Sequence, residues 1–174
     1  MSYRAAPPPP VLQPVSLQRL TPLLQLFLEN QTNAIVESIQ SLLEAIKSDG
    51  SASQLGAHIS AISTVVGKVL SSTEAAMEDP LLKERGEWIV KNLSGCRDRM
   101  VGMRDAMIRG EGLEEGERVG KESKGKLAGL AFDMARETKE LVRTVEDIDN
   151  EARRQMGAGV GGSQGVGGSV GRGV

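Results

Sequence analysis

The feature that most constrains this chain is a four-and-three spacing of apolar residues that recurs in four separate segments. Over Leu28 to Ile46, LENQTNAIVESIQSLLEAI, spacing, composition and borders all point to one structure. There Leu28, Ile35, Ile39, Leu42 and Ile46 share one face, Val36 and Leu43 widen it, and Glu29, Glu37, Gln40 and Glu44 point away. An amphipathic helix of this kind cannot bury its stripe alone, so the chain must supply facing helices. Three further runs do so. Leu55, Ile59, Ile62, Val66 and Val69 predict a helix over about 53–77. Leu82, Gly86, Ile89, Leu93, Cys96, Met100, Met103 and Met107 predict one over about 80–109. Leu127, Ala131, Met134, Thr138, Leu141, Val145, Ile148 and Ala152 predict the last, over about 127–155. Alternating intervals of four and three make the seam of near-antiparallel helix packing.

The borders agree with the periodicity. Thr21-Pro22 reads as a cap followed by proline at the first helical position, opening a helix over about 22–47, and Asp79-Pro80 repeats that signal. Ser48-Asp49-Gly50-Ser51 is a breaker cluster, and Gly110 to Gly125 is expected to be a charged, glycine-rich loop with Leu113 and Val119 as its large apolar residues. Helices of about 25 to 30 residues are each roughly 37 to 45 Å long, so the four match. Short connections make neighbours antiparallel. The expected fold is therefore all-α: an antiparallel up-down-up-down four-helix bundle over residues 21–156 with disordered ends. Residues 1–20 form the Pro-rich leader and 157–174 the Gly-rich tail, each with too little apolar surface to offset ordering entropy. Within the leader, Arg4 followed by Pro7 and Pro10 fits the spacing of an SH3-type ligand as well as that of a solvated polyproline segment. The apolar start of helix one, Leu23 to Leu28, is either covered on two faces or a place where a partner docks.

Composition narrows the chemistry. Net charge is -2 and the four aromatics are Tyr3, Phe27, Trp88 and Phe132. A single-stranded nucleic-acid binder wants stacking aromatics on a basic groove, and with balanced charge and 2% aromatics this chain has neither. One cysteine and one histidine, Cys96 and His58, leave no disulfide and no structural zinc, and no Glu-x-x-His pairs for a di-iron bundle. Cys96 belongs to a seam and reads as a small buried hydrophobe. Gly116 to Glu122 misses the phosphate-loop spacing and lacks its Ser or Thr, while Gly157, Gly159 and Gly162 match a dinucleotide pattern with no strand before it. The reading is a cytoplasmic, non-enzymatic protein with no cofactor, no metal and no membrane insertion, since no stretch approaches the roughly 18 apolar residues of a span.

Beyond periodicity, the wording of three blocks is informative: LENQTNAIVESIQSLLEAI, KERGEWIVKNLSGCR and LAFDMARETKELV. Together they resemble the C-terminal domain of fungal polarisome scaffold proteins. That domain is similar to the focal-adhesion-targeting-like bundle that ends the GIT adaptors. The resemblance covers roughly residues 22–148. It implies a scaffold at sites of polarised growth, the bud or hyphal tip, meeting formin-associated and kinase-pathway partners. The N-terminal repeats and the enzymatic domain found in those longer proteins are absent here, so functions carried by them do not transfer.

Two surfaces are candidates for partner binding. Arg136, Lys139 and Arg143 form a basic strip on helix four, expected beside the seam and flanking helix one, where acidic residues of an amphipathic partner helix would meet them. Leu81 and Trp88, seven apart on helix three and roughly 100° off its seam, form an apolar pair. The alternative use of such apolar flanks is self-association into a homo-oligomer.

Overall fold

The computed structural model describes residues 20–114 and 118–158. Four helices are present: α1 (Leu20–Lys47), α2 (Ala52–Ala76), α3 (Pro80–Ile108) and α4 (Lys121–Ala158). Each packs against its neighbours in sequence, and α4 closes back on α1, so the helices enclose one core in an up-down-up-down ring. The seams are that core. Leu28, Ile35 and Leu42 of α1, Leu55, Ile59, Ile62 and Val66 of α2, Leu93 and Met100 of α3, and Leu127, Met134, Leu141 and Val145 of α4 have no exposed surface. Ile46 and Met103 are only half-buried at the margins. Cys96 is buried as expected. Two hydroxyls in the seams are satisfied within their own helices, Thr73 Oγ1 donating to the Val69 carbonyl at 2.8 Å and Thr138 Oγ1 to that of Met134 at 2.7 Å.

The ends of the helices explain their lengths. Ser51 caps α2 with a full capping box: its hydroxyl accepts from the Gln54 amide and the Gln54 side chain accepts from the Ser51 amide. Asp79 caps α3 ahead of Pro80, accepting from the Leu81 amide at 2.8 Å. At the end of α1 the Gly50 amide donates to Ala45 and that of Asp49 to Ile46, with Asp49 in the left-handed region at φ 54°. Thr21 lies inside α1 and is not its cap. The Pro-rich leader and the tail beyond Ala158 lie outside the described residues.

The connection between α3 and α4 departs from expectation. The segment expected to be a loop to residue 125 contains a small antiparallel hairpin, β1 (Leu113–Glu114) with β2 (Arg118–Val119), and α4 begins at Lys121. A bridge between Arg118 and Ser51 holds the hairpin to the α1–α2 turn, and an ion pair between Lys124 and Asp49 ties the first turn of α4 to the same turn. Val119 is thereby buried, closing the end of the bundle. These tertiary partners carry the first turn of α4 through a stretch of glycine and charge whose local propensity argues for loop. At its other end α4 runs to Ala158, past the expected stop near 155.

Candidate interaction surfaces

The apolar start of α1 resolves into two faces. Leu24 and Leu28 are core, Phe27 is half-buried, and Leu23 and Leu26 are exposed. The described part of this turn is thus buried on one side only.

Arg136, Lys139 and Arg143 project from the outer ridge of α4. The buried residues Met134, Thr138, Leu141 and Val145 lie on the opposite side, so the strip is remote from the seam and not beside it. Two of its cations are already occupied within the helix. Arg136 Nη2 lies 3.2 Å from both Asp133 and Glu137, and Arg143 Nη1 lies 3.8 Å from Glu140. Such exposed pairs are weak and readily exchanged. Phe132, 61% exposed, stands one turn before Arg136 on the same ridge. The same intervals that place Ala131 and Met134 in the seam put Phe132 on the opposite, outward side.

Leu81 and Trp88 are 40% and 53% exposed on the flank of α3 that faces α4. Arg85 stands between them and donates two hydrogen bonds to Glu151 of α4, at 2.9 and 3.1 Å. Those bonds hold Glu151 below the usual carboxylate range, and Glu151 in turn raises Arg85. The apolar pair therefore brackets a tie between α3 and the last turns of α4. The structure does not merge the two candidate sets: Arg143 precedes Glu151 by more than two turns and points outward.

Two clefts were not read from the sequence. Between α3 and α4, Gly102, Ala106 and Gly129 leave a trough of about 540 Å³ floored by Met103 and Leu130, with Arg99, Lys126 and Asp133 at its rim. Between α2 and α3, Gly56, Ala57 and Ser60 open a cleft of about 670 Å³ against Met107 and the exposed Ile108. Arg104 crosses it, bonded to Ser60 at 3.1 Å and to its neighbour Asp105. Glycines at off-seam helical positions are the signal both clefts share. Among the described residues there is no group of three or more His, Cys, Asp or Glu placed to hold a metal ion. His58 is half-buried on α2, and no described helix is long and apolar enough to cross a membrane.

These are the surfaces of an all-helical bundle with grooves between its helices. A family model described as "G protein-coupled receptor kinase-interacting protein 1 C term" matches residues 25–146, a span that takes in most of all four helices, and the chain belongs to that family. Protein SPA2 of Saccharomyces cerevisiae (strain ATCC 204508 / S288c) is 38% identical over 133 residues, covering 71% of this chain and 9% of SPA2. The chain thus spans a small part of that relative. The resemblance carried by the three sequence blocks, to polarisome scaffolds and GIT adaptors, is borne out. No solved structure matches the chain.

Proposed function

We propose that this chain is a non-enzymatic scaffold domain of cell polarity that holds partner proteins in grooves between its helices. It acts in the cytoplasm at sites of polarised growth, and its partners are formin-associated or kinase-pathway proteins presenting an amphipathic helix. The observation that carries this reading is the identity to SPA2 over most of the bundle, together with membership of the GIT C-terminal family. The surface supports it: Leu81 and Trp88 offer apolar anchors on one flank, and Arg136, Lys139 and Arg143 offer cations on another. No cofactor takes part in such a role.

Pull-down from the native cell tests it with two variants, L81S/W88S and the charge reversal R136E/K139E/R143E. The reading expects each partner to be lost with one variant and kept with the other. Retention of every partner by both variants rejects the two faces. A second reading, self-association, is favoured by the number of large apolar side chains left exposed, Leu23, Leu26, Leu81, Trp88 and Phe132 among them. Light scattering separates the two, because a strict monomer at high concentration removes the second.

A further inference from the structure

A third surface, on the outer side of α2, has chemistry that neither candidate face shares. Lys68 of α2 and Arg97 of α3 line one shallow depression of about 500 Å³ with Gly67, Ser71, Ser72 and Phe27. Among the described residues neither cation makes an ion pair. The Arg97 guanidinium is drawn over the Gly67 backbone, where a Cβ on that glycine would stand 3.9 Å from its Cζ. Its Nε is shut off from solvent and has no hydrogen-bond acceptor. One turn earlier on α2, at the same junction with α3, the buried Ser63 hydroxyl also lacks a partner. A partly buried cation without a counter-charge is costly unless something supplies one. The hydroxyls of Ser71 and Ser72 make no hydrogen bond among the described residues, so two cations and two free hydroxyls border the depression.

The depression also has an apolar extension. A second hollow of about 260 Å³ shares Phe27 and Ser72 with the first and is otherwise lined by Leu23, Leu24, Ala75 and Ala76 of α1 and α2. Its centre lies roughly 9 Å further along α2 at 1.5 Å per residue, a distance that about three extended residues cover. We infer that the outer side of α2 binds a phosphorylated segment of a partner protein, its phosphoryl group between Lys68 and Arg97 and an apolar side chain beside Leu23 and Phe27. A phosphoryl dianion matches two cations and two hydroxyl donors, which a single carboxylate does not. A membrane surface would call for a wider field of cations than two, and Glu74 and Glu78 stand on the same helix and the turn that follows it.

The test is amide and arginine-side-chain NMR of the whole 174-residue chain. The probes are inorganic phosphate, a short peptide with phosphoserine and a leucine a few residues apart, the same peptide without phosphate, and vesicles containing anionic lipid. Phosphate and the phosphopeptide are expected to move Gly67, Lys68, Ser71, Ser72 and the Arg97 Nε–H. The phosphopeptide should bind at least about tenfold more tightly than its unphosphorylated form, and K68Q should remove most of that preference without lowering the melting temperature. R97Q should do the same, and K68Q carries the test alone where R97Q fails to fold. Equal binding of the two peptides, perturbation confined to other residues, or an undiminished preference in K68Q overturns the inference. So does binding to vesicles through these residues with no response to the phosphopeptide.

Discussion

Glu137 provides a sharp test of the packing described above, because the structure predicts that removing it helps. It is 6% exposed on the flank of α4 that turns toward α3, in line with Leu130 and Asp133. One carboxylate oxygen accepts from Arg136 at 3.2 Å, and the other is buried with no partner. Arg136 is itself 71% exposed and shared with Asp133, so the pair is of the screened surface kind, worth roughly 0.2–1 kcal/mol. Leaving a buried polar atom unsatisfied costs about 1–3 kcal/mol. Methionine has a similar length and helix propensity and buries without an unpaired oxygen. Glu137→Met should therefore stabilise the bundle by about 1–2 kcal/mol. For a domain of this size that raises the melting midpoint by roughly 3–10 °C. Thermal melts by circular dichroism, with urea titration to check that the transition stays two-state, provide the measurement. A midpoint lowered by the substitution would refute the reasoning, since the carboxylate would then be held by favourable surroundings.

The core seams predict that Ile39→Ala and Leu141→Ala each cost about 2–5 kcal/mol, while Leu26→Ala on the exposed side of α1 stays within about 0.5 kcal/mol; urea denaturation compares them. Gly50→Ala should destabilise, because its added Cβ would meet the Ala45 carbonyl oxygen at 2.9 Å in the turn that ends α1, and a lowered melting midpoint checks it. On the acid side, hydrogen bonds from Lys124, Arg109, Lys126 and Arg85 hold Asp49, Glu111, Glu122 and Glu151 below the usual carboxylate range. Folded values lower than unfolded ones give stability that is present above about pH 4 and is lost as pH falls through the folded values. Denaturation midpoints should hold level from neutrality to about pH 5 and then decline, the decline shrinking in high salt because the pairs are exposed. Trp88, half-exposed, should emit near the wavelength of solvated indole, be quenched by acrylamide, and become protected when a partner covers it.

What the sequence made legible was periodic. Leu28, Leu55, Leu93 and Leu141 sit in the core because intervals of four and three repeat over many turns, and Asp79-Pro80 opens α3 because cap and proline act locally. The start of α4 was illegible because its cause is not local: Lys124 reaches Asp49 and Arg118 pairs with Ser51, both far away in the chain. Val119 looks like an isolated apolar residue in a polar loop until the hairpin lays it over the end of the core. The surfaces fared likewise. Spacing put Leu81 and Trp88 on one side of α3, but only the Arg85–Glu151 tie reveals which helix lies beside them. The strip of Arg136, Lys139 and Arg143 was found as a pattern, yet its compensation by Asp133, Glu137 and Glu140 depends on rotamers that spacing does not set.

The exposed apolar pair and the basic strip lie on different outer flanks of the bundle, and the proposed function uses them as two separate faces that hold two partners at once. Proximity labelling in the native cell, comparing the wild-type chain with L81S/W88S and R136E/K139E/R143E, tests that idea most directly. The account predicts that the wild-type chain labels proteins of polarised growth sites and that each variant loses a different subset of them while remaining folded. An unchanged set of neighbours in both folded variants, or a wild-type chain that labels only its own copies, would contradict it.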